Sequence, residues 1–203
     1  MTAPSRVERR QEPLGDSALV QASQTDPQRF AELYDRHAPD IHRYAARRLG
    51  DSAADDVVAE TFLVAFRRRD RFDPSRGAAR PWLYGIAGNL IAGHRRSEVE
   101  HYRLLAKTAI DPLVEGDHDR ADSRVAAAAV TRRLGAALAR LSKGDRDVLL
   151  LVAWESLTYD EVAQALEIPI GTVRSRLNRA RKKVRKALGG VDPTAASEEF
   201  TRG

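Results

Sequence analysis

The chain has 203 residues, of which 42% are hydrophobic and 31% charged, and it contains no cysteine. This length allows two compact domains, and the lack of Cys excludes disulfides, zinc ribbons and a thiol nucleophile, as expected in a reducing cytoplasm. No apolar run approaches the length of a membrane span, and the polar N-terminus does not resemble a signal peptide. The net charge of +5 favours a polyanionic partner such as nucleic acid.

The apolar residues are mainly Ala, Leu and Val at helical spacing. This pattern predicts an all-α chain of two small helical domains joined by a flexible linker, the C-terminal domain being a helix-turn-helix. The predicted parts are a flexible arm at 1–26, a first helical domain at 27–97, a polar and acidic linker at 98–124, a second helical domain at 125–188 and a flexible tail at 189–203.

The first domain opens with a helix in which apolar residues recur from Phe30 to Tyr44. Pro39 lies inside this run, and we expect it to kink or break the helix because proline lacks the backbone N–H. A second helix is expected to begin at Ser52, which is followed three residues later by Asp55 in a capping arrangement.

The second helix carries a stripe of charged residues around one leucine, in addition to its apolar core face. The stripe residues recur at spacings of four, three and four, so they share one side of a helix. They are Asp56, Glu60, Leu63 and Arg67. Such a stripe is either an ordinary solvated face or a docking surface on which charges orient a partner around an apolar contact.

A third helix follows a loop and is expected to begin at Pro81, because proline suits the first helical position. Trp82 lies on one face of this helix, and His94, Arg95 and Arg96 form its basic end. The tryptophan can belong to the core while the basic end complements the helix dipole, or both can face a ligand.

The second domain carries the signals of a helix-turn-helix. Ser142 is expected to cap its first helix, and Thr158 with Glu161 forms a capping box for the next helix. Thr172 is expected to cap the third, recognition helix, which follows a Gly- and Pro-containing turn.

The outer face of the recognition helix is strongly basic. Between positions 171 and 188 the chain has eight Lys and Arg residues and no acidic residue. The N-terminal part of such a helix enters the DNA major groove, where Arg can bind guanine and Asn can bind adenine. The residues predicted to contact bases or phosphates are Thr172, Arg174, Ser175, Arg176 and Asn178, with Arg179 and Lys182 further along the helix. A merely solvated basic helix is the alternative.

Four stretches of the chain resemble extracytoplasmic-function (ECF) sigma factors of RNA polymerase, in the order and at the spacings usual in that family. They are residues 54–66, 81–90, 157–166 and 168–177. The resemblance covers about residues 30–188. It implies an all-α, non-enzymatic factor that needs no cofactor and directs core RNA polymerase to a small set of promoters.

The resemblance also implies roles for individual residues. Asp56, Glu60 and Leu63 would grip the clamp helices of the largest polymerase subunits, and Arg67 would extend that surface. The helix-turn-helix would bind the minus-thirty-five promoter element. The loop before Trp82 and the helix after it would meet the non-template strand of the minus-ten element and capture flipped bases there, with the lost stacking offset by pocket contacts. The carried-over candidates are Arg80, Asn89, His94, Arg95 and Arg96.

Three positions depart from the family pattern. Ala59 replaces a common Gln, which removes one polar contact to the clamp, and Gly88 replaces a frequent polar residue beside Asn89. Glu167 replaces the usual glycine of the turn, which would cost about 1 kcal/mol if the backbone φ there is positive.

Two other classes of protein compete with this interpretation. An enzyme is disfavoured because the five histidines form no i,i+4 metal pair and no phosphate-binding or nucleophile motif is present. A stand-alone helix-turn-helix regulator would share the second domain but would not need the stripe or the basic-ended Trp82 helix.

The resemblance also implies partners. Members of the ECF family are commonly held inactive by an anti-sigma protein, so such a protein is a candidate partner beside core RNA polymerase and promoter DNA.

Overall fold

The computed structural model describes residues 14–76, 78–108 and 118–190, with the backbone alone at 76, 108 and 118–126. Within these ranges it contains nine α-helices and no strand, which confirms the all-α class. The helices are α1 (Asp16–Ala22), α2 (Arg29–Leu49), α3 (Asp51–Arg67), α4 (Ala79–Gly93), α5 (Arg95–Thr108), α6 (His118–Arg140), α7 (Lys143–Ala153), α8 (Tyr159–Leu166) and α9 (Ile170–Ala187).

Helices α2, α3 and α4 pack around the core of the first domain. The ring of Phe30 on α2 meets the rings of Phe62 and Phe66 on α3 edge-on, with centroid distances of 6.4 and 5.3 Å. Val58, Phe62 and Ala65 are buried, so the core face predicted for α3 is confirmed. Burial of a Phe or Val side chain contributes about 1.5–3 kcal/mol each.

Part of the predicted flexible arm at 1–26 is instead the helix α1. Leu19 and Val20 of this helix are fully buried, and Val20 joins the core around α2. Asp16, in the first turn of α1, lies 2.6 Å from Nε2 of His37 on α2. These contacts fix the helix to its neighbour, and the seven-residue apolar pattern was too short to be recognised in the sequence.

Pro39 does not end the first long helix, contrary to expectation. Helix α2 runs without a break from Arg29 to Leu49 with Pro39 inside it. Leu33 before the proline and Ile41 after it are both buried in the same core. The packing on both sides therefore outweighs the loss of one backbone hydrogen bond.

The junction between α2 and α3 also differs from the capping prediction. Gly50 is the only residue between the two helices and has φ +89°, a conformation that glycine adopts readily. Because Gly50 itself turns the chain, α3 begins at Asp51 and Ser52 lies inside the helix without capping it.

The described parts of the predicted linker, 98–124, are helical. Residues 98–108 belong to α5 and the rest belongs to α6, and the two helices pack along each other. Glu98 and Tyr102 are each only 1% exposed. The acidic composition of the predicted linker gave no indication that these two side chains are buried. Residues 1–13 of the arm, 109–117 of the linker and 191–203 of the tail lie outside the described residues.

Helices α7, α8 and α9 form the predicted helix-turn-helix. The Ser142 hydroxyl accepts a hydrogen bond from the Asp145 N–H at 3.3 Å, which confirms the cap of α7. The capping box of α8 is also confirmed, because Thr158 and Glu161 each bond the backbone N–H of the other.

The start of α9 differs from the prediction. The helix begins at Ile170 with Pro169 as its N-cap, and Thr172 lies within its first turn with its N–H bonded to the Pro169 carbonyl at 2.8 Å. Proline has a fixed φ suited to helix entry, so the helix starts earlier than a Thr cap would allow. In the preceding turn Glu167 has φ +51°, the strained conformation anticipated at this position.

Candidate DNA and polymerase interfaces

Helix α9 has one apolar side and one basic side. Val173, Leu177, Ala180 and Val184 are buried against the rest of the domain. This packing turns the opposite side of the helix outward. The outward side chains include Arg174, Ser175, Asn178, Arg179 and Lys182, which are exposed, while Thr172 and Arg176 are half-buried.

An open groove runs along this basic side. It is lined by Arg174, Asn178 and Lys182 of α9 and by Tyr159 of α8. Backbone phosphates could bind to its cationic walls, and an amide such as that of Asn178 can bind a base edge. Tyr159 was missed in the sequence, where its position next to the cap residue Thr158 was the only available signal.

Two of the α9 cations are held by a carboxylate of α7. Oδ1 of Asp145 lies 3.1 Å from Nη2 of Arg179, and Oδ2 lies 3.5 Å from Nζ of Lys183. Burial raises the pKa of Asp145, but the hydrogen bonds from Arg179 and Ser142 outweigh it and lower the pKa below its usual value. Arg179 is therefore partly neutralised, whereas Arg174 and Lys182 have no ion pair among the described residues.

Arg176 has a different environment from its neighbours on α9. Its guanidinium lies against the backbone of Gly144 at the start of α7, so close that a Cβ there would be 2.6 Å from Nη1. A larger residue at position 144 would therefore displace Arg176. The two arginines predicted to read bases thus differ, with Arg174 facing solvent and Arg176 lying against α7.

The stripe on α3 forms an exposed surface. All four of its residues, Asp56, Glu60, Leu63 and Arg67, are exposed, and Leu63 is 41% exposed although it is apolar. Tyr34 of α2 is 45% exposed and packs its ring on Phe62 at 4.8 Å. The structure therefore offers an apolar contact flanked by charges, and Tyr34 adds a residue that the sequence had indicated only as part of the helical repeat.

The residues predicted for the minus-ten element lie at two ends of α4. Asn89, His94, Arg95 and Arg96 are exposed where α4 meets α5. Arg80 is at the other end, where it donates a hydrogen bond to the Glu155 carbonyl at 2.6 Å. His94, Arg95 and Arg96 are thus consecutive at the α4–α5 junction, Asn89 lies about one turn before the end of α4, and Arg80 lies at the other end of that helix.

Trp82 lies on the α4 face between these ends. Its ring packs on Phe72 with the centroids 5.1 Å apart, and it remains half-buried. The two aromatic residues, together with Arg68, Arg71 and Asn89, line a cleft beside α4. Aromatic rings with nearby arginines are suited to stacking against unpaired bases, so the face combines features expected for single-stranded DNA.

Comparison with known proteins identifies the family. The model of sigma-70 region 2 matches residues 33–100, and the model of sigma-70 region 4 matches residues 131–184. NccH of Alcaligenes xylosoxydans xylosoxydans, an RNA polymerase sigma factor, is 32% identical over 181 residues, which cover 87% of this chain and 96% of that protein. The chain belongs to the sigma-70 family of RNA polymerase sigma factors.

Further relatives place it in the ECF subfamily. The ECF sigma factor SigL of Mycobacterium tuberculosis is 35% identical over 158 residues, covering 77% of this chain and 86% of SigL. SigW of Bacillus subtilis, also an ECF sigma factor, is 29% identical over 177 residues, covering 84% of this chain and 94% of SigW. The resemblance read from the four sequence stretches is thereby confirmed.

Solved structures agree with this assignment. The structure of CnrH in complex with the cytosolic domain of CnrY matches 86% of this sigma factor and 97% of CnrH, with a TM-score of 0.59 and 27% identity. RpoE of Bartonella quintana, solved with the anti-sigma factor NepR, matches 79% of this chain and 96% of RpoE with a TM-score of 0.54 and 22% identity, which supports the fold.

The comparisons also decide between the alternatives. A stand-alone helix-turn-helix regulator is excluded because sigma-70 region 2 covers the first domain. Sigma factors are non-enzymatic subunits for DNA recognition, so the hypothesis of an enzyme is excluded as well.

Among the described residues no cluster of three or more His, Asp or Glu side chains could hold a metal ion. Within the same ranges no helix is long and apolar enough to cross a membrane.

Proposed function

We propose that this alternative sigma factor, which recognises promoters for transcription initiation, divides that work between three surfaces. The basic side of α9 binds the minus-thirty-five element in the major groove. Arg174 and Asn178 contact base edges, and Lys182 binds phosphate. The support is the exposed, acid-free face of α9, which is the single observation that carries the proposal. Thr172, Ser175, Arg176 and Arg179 complete the contact set.

The α4 face and the start of α5 bind the non-template strand of the minus-ten element. The half-buried Trp82 offers a stacking surface, the buried Phe72 packs on its ring, and Asn89 is exposed in the same cleft. His94, Arg95 and Arg96 bind the backbone of that strand at the α4–α5 junction. Arg80 contributes from the other end of α4. A base that leaves the duplex loses stacking, and such pocket contacts offset this loss without ATP.

The α3 stripe binds the clamp of core RNA polymerase. Asp56, Glu60 and Arg67 orient the contact, and the exposed Leu63 supplies its apolar centre. We infer that the protein acts in the cytoplasm, because core polymerase and promoter DNA are found there. Because the related CnrH has been solved with the cytosolic domain of CnrY, we infer that a protein inhibitor of this sigma factor is a further partner.

A footprint of the assembled holoenzyme on promoter DNA tests which promoter element each proposed DNA-binding surface contacts. Core polymerase with this protein is expected to protect two promoter elements asymmetrically, and permanganate should detect unpaired thymines only at the downstream element. The Arg174→Ala variant should lose protection upstream and retain reactive thymines on a promoter with strong downstream contacts. A palindromic footprint without open bases would contradict the proposal.

A further inference from the structure

Four arginines lie close together where α3 ends and the next turn begins. Positions 67–71 read Arg-Arg-Arg-Asp-Arg. Arg69 is half-buried, whereas the other three arginines of this run are exposed in the way expected of solvated cations. Arg69 therefore has a different environment from its neighbours, and its contacts indicate a different role.

The Arg69 side chain bonds two backbone carbonyls on different segments. Its Nη1 donates to the Phe66 carbonyl at 2.7 Å, and its Nε donates to the Ser23 carbonyl at 3.1 Å. Its guanidinium carbon also lies 3.9 Å from the centre of the Phe66 ring. The Phe66 carbonyl belongs to the last turn of α3, where carbonyls have no regular partner within the helix. The planar guanidinium, whose donors point in fixed directions, therefore ties the end of α3 to the end of α1.

The chain after α1 bonds the same turn in return. Nε2 of Gln24 donates to the Arg69 carbonyl at 3.0 Å. Ser23 is fully buried, and its hydroxyl donates to the Val20 carbonyl at 2.6 Å. Because Leu19 and Val20 are also fully buried, the α1 side of this contact is anchored in the first domain. Ser23, Gln24 and Arg69 together form a clasp between α1 and the turn after α3.

The turn that the clasp holds has little stability of its own. It is a single 3₁₀ turn, Arg69–Arg71. Its backbone bonds run from the Arg71 N–H to the Arg68 carbonyl at 2.9 Å and from the Phe72 N–H to the Arg69 carbonyl at 3.4 Å. So short a turn has poor hydrogen-bond geometry and does not persist without packing. Its position therefore depends on contacts outside it, which are the clasp and the buried Phe72.

Two other cations of this run lie at the proposed minus-ten site. Arg68 and Arg71 are exposed and line the cleft that also contains Trp82 and Asn89. They precede and follow Arg69 in the same turn, so a change in the orientation of the turn moves both guanidinium groups. Cations beside an aromatic ring can bind the phosphates of a strand whose bases stack there. The clasp thus holds the turn that carries these two cations.

We propose that Arg69 is a positioning residue which, with Ser23 and Gln24, fixes the turn so that Arg68 and Arg71 bind phosphates of the non-template minus-ten strand. Arg69 itself does not contact the DNA. Helix α1 becomes part of the DNA-binding machinery, although it lies outside the family matches at 33–100 and 131–184. This inference rests on the proposed function, because it names what holds cations of the same minus-ten face in place.

The substitution Gln24→Ala tests the clasp without changing the charge of the protein. It removes the hydrogen bond to the Arg69 carbonyl, and the neutral Gln24 is not itself a phosphate ligand of the ionic kind. Gln21→Ala is the matched control, because Gln21 is the same residue type and is exposed on α1. Arg69→Lys is a second variant, which keeps the positive charge but loses the planar fork that bonds two carbonyls.

The measurement is the affinity of the holoenzyme, over a salt series, for a fork DNA whose non-template minus-ten strand is unpaired. The fork is taken from a promoter identified by run-off transcription. Gln24→Ala and Arg69→Lys should bind roughly two- to tenfold more weakly than Gln21→Ala. Each lost phosphate contact should reduce the slope of log affinity against log salt by about 0.7. Because neither substitution removes a charge, a smaller slope reports that other cations have moved.

A variant lacking both proposed phosphate contacts, Arg68→Ala with Arg71→Ala, separates positioning from a general loss of stability. In that background Gln24→Ala should have no further effect on affinity, because the cations that the clasp positions are gone. A general structural defect would instead persist in the same background. Assembly of each variant with core polymerase checks that the first domain remains folded.

Three results would overturn the role of the clasp. They are equal affinity in Gln24→Ala and Gln21→Ala, an effect of Gln24→Ala that persists without Arg68 and Arg71, and full affinity in Arg69→Lys when Arg69→Ala is weakened. The last result would show that Arg69 binds DNA through its charge. Failure of the wild-type holoenzyme to bind the fork is a distinct outcome, because it would reject the proposed minus-ten function and the clasp with it.

Discussion

Arg48 on α2 and Asp147 on α7 are 99 positions apart in the sequence, yet they form a buried ion pair with Nη2 and Oδ1 2.6 Å apart. Burial alone would lower the pKa of Arg48, but the neighbouring Tyr44, Asp147 and Glu98 raise it well above its usual value. The arginine therefore stays charged, and the pair connects the two domains of the sigma factor through a buried contact.

Replacement of Asp147 by alanine should destabilise the chain markedly. The change leaves Arg48 with an incomplete set of partners in the interior, and breaking a buried ion pair typically costs about 3–5 kcal/mol. Urea unfolding followed by circular dichroism measures the free energy. Asp40→Ala is the control, because it removes the exposed Arg43–Asp40 pair, which should be worth less than about 1 kcal/mol. Equal small losses in both variants would contradict the assignment.

Protonation of Glu155 should stabilise the folded chain. Burial raises the pKa of this carboxyl, although the hydrogen bond from Tyr84 and the charges of Arg80, Arg43 and Arg47 oppose the rise. A group whose pKa is higher in the folded state binds its proton more tightly there. Its contribution to the free energy of unfolding therefore rises as the pH falls through the raised folded-state pKa towards the usual Glu value.

The Glu155→Gln variant isolates this effect, because glutamine has the shape of the carboxyl but does not titrate. The free energy of unfolding of the wild type minus that of Glu155→Gln should increase as the pH is lowered from neutral. Subtraction cancels the contributions of all other titrating groups that the two proteins share. A flat difference would show that Glu155 has an ordinary pKa in the folded state, and a difference that increases with pH would show that its pKa is lowered; either result would contradict the prediction.

Arg174→Ala and Lys182→Ala should weaken promoter binding in different ways. If Arg174 makes a bidentate base contact, its loss costs about 1–3 kcal/mol and relaxes the preference at one base pair. If Lys182 binds phosphate as proposed, its loss should lower affinity for all sequences and reduce the salt dependence by about one charge. Holoenzyme binding to upstream-element variants over a salt series measures both. Unchanged sequence preference in Arg174→Ala would remove it from the base-reading set.

Asp56→Arg should abolish binding to core polymerase and leave the fold intact, because Asp56 is exposed on the α3 stripe. Asp55→Arg is a charge-matched control one residue away on another side of α3, where the largely exposed Asp55 lies 3.2 Å from Nε2 of His42. Affinity for core polymerase and the circular dichroism spectrum should be measured together. Wild-type affinity in Asp56→Arg would reject the stripe as the docking surface.

Local features of this chain could be predicted from the sequence. The capping box at Thr158 and Glu161 needs only residues three positions apart, and the core face of α3 follows from helical spacing. The basic side of α9 followed from the same periodicity, as did the exposed α3 stripe. In each case the feature is determined within one helix, where the spacing of residues along the sequence fixes the side of the helix on which each residue lies.

Contacts between distant elements could not be predicted in this way. Glu98 counted as one of several acidic linker residues, yet it is buried because Arg48 neutralises it. Pro39 was expected to kink or break α2, but tertiary packing on both sides keeps the helix continuous from Arg29 to Leu49. The short α1 likewise depends on Asp16 reaching His37 of α2. Each of these features depends on a partner that only the fold brings near.

The most direct test of the central claim is run-off transcription with core RNA polymerase on a pool of genomic upstream fragments, with and without this protein. We expect discrete start sites that appear only with the wild-type protein, each preceded by the same two promoter elements. The Asp56→Arg variant should give no such sites, while Asp55→Arg should reproduce the wild-type pattern. Folded, inhibitor-free wild-type protein that yields no new start site would contradict its role as a sigma factor.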